Sequence, residues 1–505
     1  MTTRIRKLPL VWALALLLAG CAGFRPPELP PEHTPPPADT PFWSALEEAR
    51  PGDWFVLLNE GPAALDWRLV AIDSATESID LQTFLWTFDT VGAMVLDHLI
   101  MAADRGVTVR LLVDDTFLVG EDPALLALQR HPNLEYRVFN PYQRRPDSVA
   151  GRTLLNLAEF GRLDHRMHNK AMVVDNRVAV VGGRNLADEY FGLHPVANFR
   201  DMEVLVGGPL VRRVAEAFDE YWNDRWSVPI DAFSGVEPVE ADLAEARRVR
   251  GEQAHLHAEL DDLARADMWR RTVAEALDGR ATLFADEPPG DDPSAPDSAP
   301  VQVADELVGL FDGAVNEVVI VSAYLIPTTE LEDAVRRAVE RGVRVRILTN
   351  SIRSNNHLAA HSAYRRHIAG LVEDGAEVHE VRIDARDRAA YMVQPVGEKQ
   401  LALHAKVLLF DRDRAFIGSA NLDPRSLRIN TEMGLLVESR ELNAEIRAAV
   451  DADFHPANAW QLQPDGRGGV LWVSESGTRD TQPAGSLMQD LEDWVLSLLP
   501  IEGEM

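Results

Sequence analysis

MHNKAMVVDNRVAVVGGRN occupies residues 167–185, and a close counterpart, LHAKVLLFDRDRAFIGSAN, follows 236 positions later at 403–421. The register holds upstream, where Gly106 precedes His168 by 62 residues and Gly342 precedes His404 by the same 62. It holds downstream too, where Asp175 to Gly182 and Asp411 to Gly418 each span seven. SIDLQTFLWTF (78–88) and ADRGVTVRLLVDD (103–115) likewise match EVVIVSAYLIP (317–327) and VERGVRVRILTN (339–350). A register kept over that length marks an internal duplication and restricts the fold to two similar halves.

Each half reads as α/β. Short β-branched runs alternate with helical patterns such as TTELEDAVRRAVERG, where Leu331, Val335 and Val339 recur at i, i+4 and i+8 and Gly342 suits the C′ position. MHNKAMVVD and VAVVGG are expected to form two strands joined by a tight turn at Asn176-Arg177, with LHAKVLLFD and RAFIGS repeating the pattern. Between the halves, 240–277 reads as a charged amphipathic helical stretch with a solvated surface. EPPGDDPSAPDSAP (287–300) reads as a mobile acidic linker and sets the boundary.

A chain of 505 residues is too long for one ordinary core, in keeping with two halves. The formal net charge of −30 repels phosphate backbones and argues against a non-specific nucleic-acid binder. At the amino terminus Arg4, Arg6 and Lys7 precede an apolar run, Leu8 to Leu18, that is short for a final membrane span. The run closes on Leu18-Ala19-Gly20-Cys21, and Cys21 is the sole cysteine, so an intramolecular disulfide is impossible. This junction resembles the lipobox of bacterial lipoproteins. The resemblance implies lipidation of Cys21 and, with Ala22 rather than Asp after it, the periplasmic face of the outer membrane; a plain signal peptide is the alternative. Removal of residues 1–20 deletes three positive charges and takes the net charge to −33. The expected organisation is a leader at 1–20, a Pro-rich extended tether at 21–42, a first half at 43–235, a helical insertion with acidic linker at 236–300, and a second half with a C-terminal extension at 301–505.

On a strand, side chains two apart share a face, so His168 and Lys170 are expected to point together, as are His404 and Lys406. A lysine in an apolar stretch calls for an anionic partner, and here the pair occurs twice at one register. Two imidazoles and two ammonium groups converging between duplicated halves suit a phosphodiester. One neutral histidine attacks phosphorus, the other donates a proton to the leaving oxygen, and the lysines neutralise the non-bridging oxygens. This scheme needs no metal and no cofactor. Alignment of FRDMEVLV (199–206) with NTEMGLLV (430–437) sets Asp201 against Glu432. Both are expected to hold the second ring nitrogen of a catalytic histidine and fix its tautomer.

His168-x-Lys170-x4-Asp175 and His404-x-Lys406-x4-Asp411 resemble the paired HxKx4D motifs of the phospholipase D superfamily. Gly182-Gly183-Arg184-Asn185 and Gly418-Ser419-Ala420-Asn421 resemble its G-G/S-x-N element. The resemblance spans most of residues 60–440. It implies a duplicated, two-lobed α/β fold with mixed sheets flanked by helices and the active site at a pseudo-twofold interface. It also implies phosphate contacts from Asn185 and Asn421, and support of the site by Asp175 and Asp411 from the strand ends. Gly183 stands where the second copy has Ser419, so a polar contact is expected to be missing on that side. The order of action in many family members implies His168 as nucleophile and His404 as acid.

Within the superfamily, GRLDHRMHNKAMVVD, GGRNLADEYF, RGVRVRILTNS, NLDPRSLRINTEMGLLV and LSLLPIE (496–502) resemble the cardiolipin synthases of the C type. That group implies condensation of phosphatidylglycerol with a second phospholipid into cardiolipin, with phosphatidylethanolamine a candidate partner and donor and acceptor left open, beside a membrane to which Cys21 tethers the chain. Hydrolysis to phosphatidic acid uses the same side chains, so water and a lipid alcohol both stay open as acceptor. Small nucleases of the superfamily carry one motif and dimerise, unlike this chain. A non-catalytic envelope lipoprotein is the reading from another class, although degenerate members lose a His or Lys kept here. Finally, Arg144, Arg145, Arg152, Arg162 and Arg166 among Leu154, Leu155, Leu157 and Phe160 form either a basic, apolar lip for anionic headgroups or an amphipathic helix covering the core.

Overall fold

The computed structural model describes residues 25–233, 248, 251–253, 255–257, 260–289, 300 and 302–497. Two large mixed sheets share one strand order. The first runs Trp54–Leu58, Glu203–Gly207, Val178–Gly182, Ala171–Val174, Ser78–Thr83, Thr108–Asp114, Leu134–Phe139, Ser227–Pro229. The second runs Arg280–Ala285, Met433–Glu438, Arg414–Gly418, Lys406–Phe410, Glu317–Ser322, Arg344–Asn350, Glu377–Val381, Ala459–Pro464. In both, the fifth, sixth and seventh strands are parallel and all other neighbours antiparallel. The parallel strands need crossovers, which the helices Thr90–Asp104 and Thr329–Glu340 supply. Asp89 and Thr328 cap these helices, and Gly106 and Gly342 take positive φ (97° and 84°) two residues past the ends.

Strand parity decides which layer each residue joins. Ala171, Val173, Val204 and Val206 of the first sheet enter one core with Val407, Leu409, Leu435 and Val437 of the second, whereas Met172 and Val174 join an outer core with the helices Gly61–Ser74 and Thr90–Asp104. The two sheets therefore bury their inner faces in a shared core.

Two expectations about organisation change. The boundary falls earlier than 301, because Arg280–Ala285 pairs with Met433–Glu438 as Trp54–Leu58 pairs with Glu203–Gly207. The stretch assigned to insertion and linker thus contains the first strand of the second half, and just before it Leu277–Asp278 adds an edge strand to the first sheet. The expected mobile segment 287–300 lies mostly outside the described residues, as do the leader, Cys21 and most of LSLLPIE. The second change concerns the tether. From Glu32 to Ala38 it lies strapped along the first half: Thr34 Oγ1 sits 2.8 Å from Asp80 Oδ2 and 2.7 Å from Arg110 Nη2, its amide donates to Asp219, and Ala38 is buried. Among the described residues no helix is long and apolar enough to cross a membrane.

Thr34 bridges two carboxylates and a guanidinium that are otherwise largely buried. Thr34→Val should therefore lower stability by about 1–3 kcal/mol in urea unfolding, whereas a free tether would leave the midpoint unchanged.

Candidate functional site

The turn that follows each motif strand begins at its aspartate. Asp175, Asn176 and Asp411 adopt positive φ, and the first turn covers Asp175–Arg177 rather than Asn176-Arg177 alone. Asp tolerates this conformation because its carboxylate is fully engaged. Asp175 accepts from the amides of Thr76, Glu77 and Ser78 and from Trp43 Nε1, and Asp411 accepts from the amides of Val315, Asn316 and Glu317. Both clamp the entry of the neighbouring parallel strand. Neither lines the pocket described next, so both stand at the strand ends, away from the catalytic side chains.

At the other end of these strands the halves meet. His168 and Lys170 lie in extended backbone just before Ala171–Val174, and Lys406 opens Lys406–Phe410 with His404 two residues ahead. Each histidine segment pairs in parallel with the other half. Gln400–Leu403 runs beside Ala197–Arg200, and Met167 bridges Thr431. The amide of His404 donates to Arg200 O and that of His168 to Thr431 O, both at 2.9 Å. The next residues along the partner segments are Asp201 and Glu432, so each carboxylate meets the histidine of the opposite half. His404 Nδ1 lies 2.7 Å from Asp201 Oδ2, and His168 Nδ1 lies 2.9 Å from both oxygens of Glu432. With Nδ1 so held, Nε2 is the nitrogen left to the pocket, and on His404 it has Lys406 Nζ 3.0 Å away.

The pocket encloses about 580 Å³ between the halves, and His168, His404, Asn185 and Asn421 line it. Asn185 is fixed by Tyr190, whereas the buried Oδ1 of Asn421 makes no hydrogen bond among the described residues. Aromatic rings seat the imidazoles, with Phe84 4.9 Å from His168, and Tyr190 and Phe199 4.9 and 5.2 Å from His404. No sequence pattern singled these rings out, since they belong to a loop (Phe84), the short 3-10 helix Asp188–Tyr190 and the strand Ala197–Arg200. Lys170 and Lys406 are buried at the base of the site.

Burial dominates the electrostatics. It pushes Lys170 down to about 7 and Lys406 to about 8, and it lowers both histidines, His404 to about 3, with the nearby lysines adding to the effect. The two carboxylates diverge. Burial raises Glu432 to about 7, although Lys170 and the Ser419 hydroxyl oppose it. Asp201 also feels burial, but His404, Lys406 and Arg184 outweigh it and hold the carboxyl below its usual range. His404 contributes most to holding Asp201 down, and one broken repeat position adds to it: Arg184, whose counterpart is Ala420, lies close enough to donate to the Asp201 backbone carbonyl at 2.6 Å. The expected gap at Gly183 is filled as well, because a Cβ there would collide with Asp201 Oδ1, whereas Ser419 donates to Glu432.

The basic lip is not present as expected. Arg145 and Arg152 pair with Asp115, Arg162 with Glu159, and Arg166 with Asp114, all with buried guanidinium groups; of the five arginines only Arg144 is exposed. Asp73, His98 and His257 have side-chain ligand atoms within 4.8 Å of one another, but none of the three lines the pocket.

Copying the second half into the first should not be neutral. Gly183→Ser should displace Asp201 from His404 and cut turnover about 100-fold or more, with the fold retained by circular dichroism. Ser419→Gly, which only removes a hydroxyl from Glu432, should cost far less; equal losses would contradict the asymmetry.

The family model described as "Cardiolipin synthase, PLD-like domain" matches residues 69–222 and 307–454, one match in each half. Cardiolipin synthase C of Escherichia coli is 32% identical over 439 residues, covering 85% of this chain and 91% of that protein. Cardiolipin synthase A of Pseudomonas aeruginosa is 26% identical, covering 84% and 71%. The crystal structure of phosphatidylserine synthase from Haemophilus influenzae superposes with a TM-score of 0.54 at 14% identity, covering 84% of this chain and 92% of that one, which supports the fold. This chain belongs to the cardiolipin synthase family of phospholipase D-like proteins.

Proposed function

We propose that the chain is a phosphatidyltransferase that makes cardiolipin from phosphatidylglycerol and a second phospholipid through a phosphohistidine intermediate. The observation that carries this reading is the pair of histidines facing one pocket, each held at Nδ1 by a carboxylate of the other half. His168 Nε2 attacks the phosphorus of the donor lipid, and the bond to the leaving headgroup oxygen breaks as His404 delivers a proton, releasing the headgroup alcohol. The incoming glycerol hydroxyl of phosphatidylglycerol then gives its own proton to His404 and attacks the phosphohistidine, breaking the P–N bond and freeing His168. In the free site burial keeps His404 neutral; once the anionic phosphate is bound, its charge together with the ionised Asp201 stabilises the cationic ring that an acid must carry. Lys170 and Lys406 offset charge on the non-bridging oxygens, with Asn185 and Asn421 as further donors. Lipidation at Cys21 and residence at the periplasmic face of the outer membrane complete the reading. With Glu32 to Ala38 strapped down, residues 21–31 alone would span the gap, about 35 Å if extended as polyproline.

Two measurements test this. Purified protein given phosphatidylglycerol, with and without phosphatidylethanolamine, should yield cardiolipin; phosphatidic acid as the only product would replace transfer by hydrolysis. The pH profile follows from the lysines. The free site needs both protonated to take the phosphate, so kcat/KM should fall as pH rises through about 7 to 8. Bound phosphate favours the ammonium forms, so kcat should hold to higher pH. Parallel decline of both constants would remove the lysines from substrate binding.

A further inference from the structure

Exposed apolar side chains gather at the pocket mouth. Among the described residues, fourteen large hydrophobic side chains are exposed, and ten of them lie on two structures that flank the pocket. On the first half, the short helices Val149–Leu155 and Phe160–Leu163 and the turn Leu157–Glu159 between them expose Leu154 (68%), Leu157 (56%) and Phe160 (53%), beside Val149 and Leu155. Arg152 ties this segment to Asp115 and to Leu118 O, the residues on either side of exposed Phe117. Phe117 itself lines the pocket and stacks edge-on to Phe84 at 5.4 Å, and Phe84 contacts His168. An apolar path therefore runs from the outer surface to an imidazole.

On the second half, the helix Leu487–Ser497 exposes Met488, Leu491, Trp494 and Val495, while its Asp493 is buried. Asp493 bonds His361 and Ser362 of Leu358–Tyr364, a helix whose Ala360 lines the same pocket. The mouth is thus bordered by apolar surface from both halves. Charge does not attract this region to an anionic surface, because the arginines beneath it are paired internally and the chain carries −30 overall.

We propose that these two apolar borders insert into the headgroup–acyl boundary of a phospholipid bilayer, so that the pocket opens onto the lipid layer and takes phospholipid without carrying it through water. The proposal rests on the phospholipid reading of the site. It commits to the bilayer rather than a protein because the patches are continuous with the pocket through Phe117 and Ala360.

The test uses the chain from Arg25 onward, which keeps every contact described above and contains no cysteine. Bimane is placed at Leu157→Cys, at Leu491→Cys, and at Val315→Cys as a control at the Asp411 end of its sheet, opposite His404. With phosphatidylcholine vesicles, labels at 157 and 491 should be quenched by brominated acyl chains while that at 315 is not. Binding should persist at about 0.5 M NaCl, where charge attraction is screened within a few Å. Leu154→Ser/Leu157→Ser/Phe160→Ser should weaken binding about tenfold or more, yet leave turnover of monomeric dihexanoyl-phosphatidylglycerol unchanged. Quenching at neither site, or binding lost in salt, would overturn the proposal. So would labels shielded without vesicles in a chain that sediments as a dimer, which would assign the patches to a second copy. Insertion with no turnover of any lipid would instead defeat the functional reading and leave insertion standing.

Discussion

Each histidine of this protein depends on a carboxylate from the half of the chain that does not contain it. The hydrogen bonds His168–Glu432 and His404–Asp201 cross the interface in opposite directions, and backbone bonds from the same histidines to Thr431 and Arg200 accompany them. Neither half can hold its imidazole alone. The shared core between the sheets, the paired segments Ala197–Arg200 and Gln400–Leu403, and the strand clamps of Asp175 and Asp411 all serve to bring these four side chains into register. Buried ionisable groups are costly unless paired, so the exchange also makes separation of the halves unfavourable.

Duplication produced similar halves, but the site is not symmetric. Glu432 is buried beside a hydroxyl and a lysine and is pushed up toward neutrality, whereas Asp201, held by His404 with Lys406 and Arg184 near it, stays ionised. A two-step transfer benefits from this difference, since one imidazole must attack as a neutral ring and the other must carry a proton. Two changed repeat positions, Gly183/Ser419 and Arg184/Ala420, accompany this difference.

Much of this was legible in the sequence because it is carried by strict spacing. The 236-residue register marked the halves, the HxK pairs marked the site, and alignment of FRDMEVLV with NTEMGLLV placed Asp201 and Glu432 beside the histidines. The crossing of partners was not legible, because spacing along one chain does not say which half a side chain faces. The arginines of 141–166 misled for a related reason: their partners Asp114 and Asp115 sit some thirty or more residues upstream of most of them, so a run that looks basic in sequence is neutralised in space. The early start of the second half at Arg280 was hidden because one short edge strand, cut off by an acidic Pro-rich stretch, carries little pattern of its own.

The most direct measurement is nitrogen-15 NMR of the histidine rings in the whole chain near neutral pH. The account predicts that His168 and His404 are both neutral with the proton on Nδ1, that Glu432→Gln perturbs the ring of His168 and not that of His404, and that Asp201→Asn does the reverse. A proton on Nε2 in either ring, or a carboxylate substitution that perturbs the histidine of its own half, would contradict it.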